Sequence, residues 1–366
     1  MRVAFIGTRG VPASYSGFET CVENVGSRMV ERGHEVVVYC RPSHYRDRAA
    51  EYRGMRLVYV PAVRQKHLET LSHTALSALR LPRDTAAVCM GVGNAPVVRW
   101  LEMRGHRVVF NVDGADWQRE KWGRFARWYL RTSEGMASRG RSLVIADARA
   151  VQDYYRKTYG RDTELVAYGA NPPADTGTAA LDRFGLKTKG YLLFVGRLVP
   201  ENAPGDYLEG VRLAGIETPA VVVGDASYAE SYKQYLHSTA PPNAVFTGYQ
   251  FGPAYEQLSA HAGMYVLAAT VGGTHPVLVE QMAAGNAILA RETDSNHEVL
   301  GDAGLYWRSP AELAGLLKEL WPDLDRRVRL GECARQRARE LYSWEDVTTR
   351  YLELCARSLD HSRGGG

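Results

Sequence analysis

Short apolar runs alternate with helical patterns along the whole chain. Seven runs lie before residue 170, from "RVAFIG" (2–7) to "ELVAYG" (164–169), and five lie after residue 190, from "YLLFVG" (191–196) to "AILARE" (287–292). Continuous apolar strands separated by helices are typical of parallel sheets that are covered on both faces. Twelve strands are more than one open sheet usually holds. The pattern therefore predicts an α/β protein with two doubly wound, Rossmann-like domains.

A stretch rich in Pro, Gly, Ala and Thr, "NPPADTGTAA" (171–180), separates the two series of strands. We predict an N-terminal domain at 1–170, a linker at 171–188 and a C-terminal domain at 189–342. A long amphipathic helix at 343–366 follows, and it can cross back to the N-terminal domain. Two such domains facing each other leave a cleft at the carboxyl ends of both sheets, where ligands bind in folds of this kind.

Composition narrows the class of protein. With 45% hydrophobic and 23% charged residues over 366 positions, the chain is typical of a globular protein. A net charge of +4 is too small to indicate a nucleic-acid partner. The five cysteines are scattered without a C-x-x-C pair, and neither a signal peptide nor an apolar run of about 18 residues occurs. We therefore expect a cytoplasmic protein that does not span a membrane.

Several kinds of site are disfavoured by their missing motifs. The loop "GTRGVPASYSGFE" (7–19) is not G-x-G-x-x-G, and the second strand ends without an acid, so a dinucleotide site is not expected. No Walker motif, H-E-x-x-H or G-x-S-x-G occurs. "DLD" (323–325) matches a metal-binding D-x-D, but its place at a helix start makes helix capping the better explanation. The sequence predicts no metal site.

A lone carboxylate lies in the segment "VGGTHPVLVEQMAAGN" (271–286). The segment predicts a compact apolar helix that begins at Pro276 and stops at Gly285. The neighbours of Glu280 at three and four residues are uncharged, so its carboxylate needs a partner or must face a cavity. The alternative is an exposed glutamate on a surface helix.

Two phosphate-friendly openings occur in the second half of the chain. The strand in "LLFVGRLVPEN" (192–202) ends with a glycine and an arginine. The helix predicted within 271–286 opens with glycines and is expected to have free N–H groups. An arginine and a helix N-terminus that converge on one place make a diphosphate site. A surface arginine and an ordinary capped helix are the alternatives. The residues at the two openings are Gly196, Arg197, Gly272, Gly273, Thr274 and His275.

Long, ordered stretches of the chain resemble the family 4 glycosyltransferases, which have the GT-B fold of two Rossmann-like domains facing a central cleft. The likeness is greatest to a branch that contains bacterial rhamnosyltransferases. It runs from the first strand to residue 307, and "YSWEDVTTRY" (342–351) also fits. The stretches that carry it are "IGTRGVPASYSGFET" (6–20), "GVGNAP" (91–96), "NVDGADWQREKWGR" (111–124), "VGRLVPEN" (195–202), "FTGYQFG" (246–252) and "VGGTHPVLVEQMAAGN" with "NHEVLGDAGLYW" (296–307).

The resemblance implies catalytic roles for Arg197, Asp113 and Glu280. Glu280 corresponds to the second glutamate of the family's E-x7-E motif, which holds the donor ribose, and Arg197 to the arginine that neutralises the donor diphosphate. Asp113 lies where the family often has a histidine near the transferred sugar. Gly10 and Gly17 lie in the loop that sugar and diphosphate approach. Asn202 is implied on the donor side and Glu19 on the acceptor side.

Two departures from the family pattern keep other functions open. The first glutamate of E-x7-E is Gly272 here, and the lysine that follows the diphosphate arginine is Asn202. A GT-B pseudo-glycosyltransferase or a nucleotide-sugar epimerase is therefore one alternative. A nucleotide-sugar-binding module without turnover is another.

The resemblance also implies the substrates. The donor is a nucleoside-diphosphate sugar, with a dTDP-deoxyhexose such as rhamnose expected first and UDP or GDP as alternatives. The acceptor is a saccharide, lipid-linked or natural-product hydroxyl. Transfer is expected to retain the anomeric configuration and to need no metal or other cofactor.

A basic, aromatic segment at 117–142 contains seven arginines and lysines and two glutamates. Trp122, Phe125 and Tyr129 fall three and four apart, which predicts one aromatic stripe on a basic helix. The stripe is either core or part of a face that meets an anionic acceptor, which is a lipid diphosphate at the inner membrane surface or a phosphorylated small molecule. The acceptor-side residues in this segment are Trp117, Arg124 and Arg127.

Overall fold

The structure is a computed structural model that divides the chain into two compact units. Unit 1 comprises Met1–Tyr168 and Trp344–Gly366, and unit 2 comprises Gly169–Ser343. The two chain crossings between the units therefore lie at 168–169 and 343–344. The residues that the structure describes are 1–13, 17–63, 65, 68–112, 117, 123–226, 229–270 and 274–363, with side chains as far as 360.

The described strands are short and mostly apolar. They are β1 (Arg2–Ile6), β2 (Glu35–Cys40), β3 (Glu51–Tyr52), β4 (Met55–Tyr59), β5 (Thr85–Met90), β6 (Val109–Asn111), β7 (Leu143–Ala146), β8 (Glu164–Leu165), β9 (Leu192–Val195), β10 (Ala220–Val223), β11 (Ala244–Gly248), β12 (Met264–Leu267), β13 (Ala287–Arg291) and β14 (Leu305–Trp307).

Helices alternate with these strands. They are α1 (Gly17–Glu31), α2 (Glu69–Ala78), α3 (Ala95–Met103), α4 (Arg124–Arg139), α5 (Arg149–Tyr159), α6 (Ala179–Phe184), α7 (Pro204–Ala214), α8 (Glu230–Thr239), α9 (Pro253–Ala260), α10 (Pro276–Ala283), α11 (Asp294–Leu300), α12 (Pro310–Leu320), α13 (Leu324–Leu341) and α14 (Trp344–Arg363), with short 3-10 turns at Pro42–His44, Val92–Asn94 and Pro200–Asn202.

The sheet of unit 1, as far as its residues are described, has eight strands in the order β3-β4-β2-β1-β5-β6-β7-β8. All neighbours are parallel except β3 and β4. The one antiparallel pair of these described strands lies at this edge and involves β3, which no predicted run includes; Arg53 and Gly54 form a two-residue turn there with φ of 49° and 74°. Positive φ at both central residues is the geometry of a tight hairpin, which joins antiparallel strands.

Unit 2 contains, among the described residues, a parallel six-stranded sheet in the order β11-β10-β9-β12-β13-β14. Its chain order reverses between β9 and β12, as that of unit 1 reverses between β1 and β5. Both sheets are thus doubly wound, as the apolar runs predict. The strands β3 and β14, of two and three residues, are absent from the twelve predicted runs.

Helices cover both faces of the sheet in unit 1. Val3 and Phe5 pack in one core cluster with α1 and α14, whereas Ala4 and Ile6 pack in a second cluster with α3 and α5. Because side chains alternate across a strand, burial of both faces makes β1 apolar throughout. The last helix belongs to this unit: Tyr351 is fully buried in the first cluster.

Candidate functional site

The carboxyl ends of β9 and β12 lie at the point where the strand order of unit 2 reverses. In doubly wound sheets ligands bind outside the carboxyl ends of the strands at this point. Gly196 and Arg197 follow β9 directly, and the chain after β12 leads to Thr274 and α10. The two predicted phosphate-binding openings thus follow two adjacent strands of one sheet.

Main-chain and side-chain hydrogen bonds join these two segments. The N–H of Thr270, after β12, donates to the carbonyl of Glu201 at 3.1 Å. The side-chain amide of Asn202 donates to the carbonyl of Arg197 at 2.9 Å. Asn202, the residue in the place of the family's lysine, therefore closes the turn that carries the half-buried Arg197.

The glycines at this edge permit a close approach of backbones. A Cβ on Gly224, after β10, would lie 1.9 Å from the carbonyl oxygen of Gly196. A Cβ on Gly196 would lie 3.3 Å from the ring of Phe194 and 3.4 Å from the amide nitrogen of Asn202. Gly224 was not singled out from the sequence, although a glycine after a predicted strand signals such an approach.

The opening of α10 is described from Thr274 onward. Thr274 is buried, and His275 is the N-cap residue with extended backbone and no side-chain capping bond. Pro276 occupies the first position, as predicted. Gly272 and Gly273, which were predicted to bind the donor, lie outside the described residues.

Glu280 is half-buried on α10, which agrees with neither a fully exposed nor a fully buried carboxylate. The hydroxyl of Tyr255 on α9 donates to its Oε2 at 2.5 Å. Burial raises the pKa of Glu280 to about 7, and the hydrogen bond from Tyr255 opposes that rise. The carboxylate thus has a hydrogen-bond partner, and Tyr255 is the residue at this candidate site that sequence reasoning missed.

A buried amide network fixes α9 and α10 against each other behind this pair. The amide of Gln281 donates to the hydroxyl of Ser259 at 2.8 Å, and the amide of Asn286 donates to the amide oxygen of Gln281 at 2.7 Å. All three residues are buried. The position of Tyr255 relative to Glu280 is therefore set by fully enclosed contacts.

In unit 1, two acids of α1 hold the loop that follows β1. Glu19 Oε1 accepts the N–H of Arg9 at 3.1 Å, and Glu23 Oε2 accepts the N–H of Ala13 at 2.8 Å. Glu19 is 3% exposed. Glu19, which was predicted on the acceptor side, thus supports the loop through this hydrogen bond, and its direct contact with an acceptor stays a prediction.

The two predicted glycines of this loop differ in their surroundings. Gly10 has a φ of 117°, and a Cβ there would lie 2.4 Å from the sulfur of Cys40. Packing against Cys40 thus explains the glycine without a ligand. Gly17 is half-buried at the first position of α1. Their approach to a donor stays a prediction.

The strand end before Asp113 is buttressed by the last helix. The amide of Asn111 donates to the hydroxyl of Tyr351 at 2.9 Å, and both side chains are buried. The thiol of Cys21 contacts the same hydroxyl at 3.8 Å. Asp113 itself, the third residue predicted to be catalytic, lies outside the described residues.

The aromatic stripe is arranged differently from the prediction. Tyr129 turns inward and donates to the carbonyl of Gly93 at 2.7 Å, whereas Phe125 is 76% exposed. The interpretation of the whole stripe as core is therefore wrong, because the side chain of Phe125 is mostly exposed. Trp122 lies outside the described residues.

The three residues of this segment that were predicted on the acceptor side lie on α4 or before it. Arg124 and Arg127 are exposed on the first turns of α4. Trp117 is half-buried, its indole N–H donates to the hydroxyl of Tyr154 at 3.2 Å, and the guanidinium of Arg131 lies 5.4 Å from its ring centroid. The three residues thus border one surface region of unit 1.

The described part of the chain contains neither a cluster of metal ligands nor a membrane-spanning helix. No group of three or more His, Cys, Asp or Glu side chains there could hold a metal ion. No described helix is both long and apolar enough to cross a bilayer.

Two family models match separate parts of the chain. Residues 189–323, which include Arg197 and Glu280, match the family model described as "Glycosyl transferases group 1". Residues 87–171 match "Domain of unknown function (DUF1972)". No curated protein matches the chain in a sequence search.

Three solved structures of low sequence identity are similar to this chain over nearly its whole length. HepE of Anabaena in complex with UDP-glucose is 17% identical, with a TM-score of 0.78 over 98% of this chain and 100% of that one. Sucrose-phosphate synthase from Thermosynechococcus elongatus is 16% identical, with a TM-score of 0.79 over 97% and 98%. WaaG, a glycosyltransferase of lipopolysaccharide biosynthesis, is 18% identical, with a TM-score of 0.71 over 99% and 100%.

The chain has the GT-B fold. At these identities the likeness establishes the fold, and the group 1 domain at residues 189–323 supports a glycosyltransferase, which is an enzyme. The family 4 assignment, the rhamnosyltransferase branch and the central cleft stay predictions.

Proposed function

We propose that the protein transfers a sugar from a nucleoside diphosphate to an acceptor hydroxyl. The observation that carries the proposal is the placement of Arg197 and of the α10 opening after the two strands that flank the reversal point of unit 2. A guanidinium and the N-terminal end of a helix, with its positive dipole, suit a diphosphate. Glu280, on the same helix, suits the ribose hydroxyls because a carboxylate accepts two hydrogen bonds.

The transfer, in this proposal, retains the anomeric configuration and needs no metal. The bond from the sugar's anomeric carbon to the diphosphate oxygen breaks, and the acceptor oxygen forms its bond on the same face. The acceptor proton passes to the departing phosphate oxygen. Catalysis then requires that the protein hold both substrates and stabilise the leaving charge. In this proposal Arg197 and the positive end of the α10 dipole supply that stabilisation.

The donor is a dTDP-deoxyhexose such as rhamnose in this proposal, and the basis is the resemblance of the motifs to the rhamnosyltransferase-like branch of family 4. UDP and GDP sugars are the competing donors, and a UDP-glucose complex of HepE shows that this fold accommodates such a ligand in that protein. A panel of UDP, GDP and dTDP sugars scored by thermal shift ranks them.

The acceptor is a saccharide, lipid-linked or natural-product hydroxyl, and unit 1 is the side on which we place it. Asp113, Trp117, Arg124 and Arg127 are the residues proposed to meet it, with Glu19 supporting the loop above. A lipid-linked acceptor would bring the protein to the inner face of the membrane as a peripheral enzyme.

Release of free nucleoside diphosphate tests the proposal. Release that requires acceptor, with a product heavier by one glycosyl unit and of retained configuration by NMR, is the expected result. Inverted product would overturn front-face transfer, and loss of activity in EDTA would overturn metal independence.

A pseudo-glycosyltransferase or an epimerase is favoured by one observation. Asn202 stands where the family has a lysine, and its amide donates a hydrogen bond to the carbonyl of Arg197. This turn therefore offers one cation, the guanidinium of Arg197, to the leaving diphosphate. Product mass distinguishes these reactions from glycosyl transfer. Donor binding without any turnover would instead indicate a nucleotide-sugar-binding module.

A further inference from the structure

One side of α4 presents basic and aromatic side chains to solvent. Phe125 is 76% exposed and Trp128 is 62% exposed, and their ring centroids lie 5.7 Å apart. Arg124, Arg127 and Arg131 are exposed beside them. Helical spacing places all five on one half of the helix surface. We call this set the α4 face.

The opposite side of α4 is what fixes the helix to unit 1. Leu130 and Ala137 are buried in the second core cluster. Tyr129 donates to the carbonyl of Gly93 at 2.7 Å, and the buried Glu134 accepts a bond from Tyr154 at 2.8 Å. Apart from Arg131, whose guanidinium lies over the ring of Trp117, the α4 face therefore contributes little to the fold, and its two exposed rings need another reason.

No acid of α4 itself is exposed beside the α4 face. Glu134 is the one acid in the sequence of α4, and it is fully buried beneath the hydroxyls of Tyr154 and Tyr159. By contrast, α13 contains six arginines but also carries Asp325, Glu332 and Glu340, and its exposed apolar residues stand among mixed charges.

We propose that the α4 face docks the protein on an anionic lipid bilayer. Phe125 and Trp128 would enter the boundary between head groups and acyl chains, where aromatic rings are favoured. The arginines would contact lipid phosphates, each contributing about a fivefold gain in affinity. Two large rings side by side on a convex helix surface suit a soft, continuous apolar layer better than they suit a small soluble anion.

This docking does not depend on the proposed glycosyl transfer, since binding to vesicles needs neither donor nor acceptor. The full chain is sedimented with vesicles of phosphatidylglycerol and phosphatidylcholine, and with phosphatidylcholine alone. Binding to the anionic vesicles that weakens with added salt is the expected result. Absence of binding at low salt overturns the proposal, whatever the enzymatic assays show.

Two variants separate the roles of charge and rings. Arg124→Glu with Arg127→Glu should weaken vesicle binding at least about thirtyfold, since two attractive charges are lost and two repulsive ones gained. Phe125→Ser with Trp128→Ser should abolish binding at physiological salt and leave salt-sensitive residual binding below it. All four side chains are exposed, so the core of unit 1 is untouched.

The matched control changes the same charge elsewhere. Arg329→Glu with Arg339→Glu reverses two exposed arginines of α13 and should leave vesicle binding within about twofold. An equal loss in this control would reduce the effect to net charge and overturn the assignment to α4. Unchanged binding after loss of both rings would do the same. If only the KM of a soluble acceptor rises in the Arg124 and Arg127 variant, the face binds that acceptor and the membrane proposal is wrong.

Discussion

The hydroxyl of Tyr255 lies 2.5 Å from Oε2 of Glu280 and donates a hydrogen bond to it. The two residues come from α9 and α10, so the bond orients the carboxylate at the edge where the donor is proposed to bind. Burial brings the pKa of Glu280 to about 7, and Tyr255 acts against that shift. The carboxyl of Glu280, which is proposed to bind the ribose, therefore changes its protonation within the physiological pH range.

Donor affinity should fall as the pH decreases through 7. The carboxylate form of Glu280 accepts hydrogen bonds from ribose hydroxyls, and with a pKa of about 7 its population drops about tenfold from pH 8 to pH 6. Glu280→Gln should weaken binding about ten- to a hundredfold at pH 8 and remove the pH dependence, and Glu280→Asp should lose less. Calorimetric titration with the nucleoside diphosphate measures this, and unchanged binding by Glu280→Gln would refute the role.

The pH dependence of folding stability should have the opposite direction. A carboxyl whose pKa is higher in the folded chain binds extra protons there, so its favourable contribution is full below about pH 4.5 and is lost as the pH rises through about 7. The melting temperature of Glu280→Gln, compared with the natural chain, should therefore rise more at pH 8 than at pH 6. A constant difference across that range would show that the carboxyl has an ordinary pKa.

Tyr255→Phe should move the acid limb of donor binding upward by about one pH unit. Loss of the hydrogen bond removes the interaction that lowers the pKa of Glu280, and about 1.4 kcal/mol corresponds to one unit. The control is Tyr191→Phe, whose hydroxyl donates to the carbonyl of Leu258 on the same helix. That variant should lose stability and keep the pH profile, whereas equal profiles for both variants would reduce Tyr255 to a packing residue.

Arg197→Ala should lower kcat/KM at least about a hundredfold. Removal of one donor to a developing negative charge costs about 2.7–4 kcal/mol, and Asn202 in this turn offers no second cation. Arg197→Lys should recover only part of the activity because a lysine lacks the planar guanidinium fork that binds two phosphate oxygens in a fixed geometry. Arg212→Ala, on the exposed surface of α7, is the control and should be silent. Full recovery by lysine would contradict bidentate contact with the diphosphate.

Tyr351→Phe should destabilise unit 1 by about 1–3 kcal/mol. The amide of Asn111 would lose its buried acceptor without gaining contact with water. Thermal unfolding measures the loss, and the release assay reports whether the strand end before Asp113 has shifted. Tyr306→Phe, whose hydroxyl bonds a carbonyl of unit 2, is the comparison, and it should lower stability without touching unit 1.

Much of the fold is readable from the sequence because strands buried on both faces are apolar along their full length. Helix starts are also local: Asp323 accepts the N–H of Arg326, so the cap predicted at "DLD" is confirmed, and Ser309 accepts the N–H of Glu312 in the same way. The strands β3 and β14 were missed because two or three residues show no periodicity. The direction of β3 follows from a turn whose φ angles the sequence does not state.

The candidate site was predictable only where its signal is local. The arginine after β9 and the carboxylate on α10 stand out in their own segments. Tyr255 does not, because its bond to Glu280 spans 25 residues and follows from how two helices pack. Phe125 and Tyr129 share one side of a helix by spacing, yet only Tyr129 meets a carbonyl partner, so periodicity alone could not tell core from surface.

The return of α14 to unit 1 also affects how the chain folds during its synthesis. Trp344, Tyr351 and Leu354 form part of the core around β1, so the first 168 residues lack one wall of that core while they leave the ribosome. Every residue of unit 2 emerges before the missing wall does. Domains usually complete folding in the order in which they are translated. Here the N-terminal domain is the last to close, and its apolar sheet face stays in need of cover until α14 has been made.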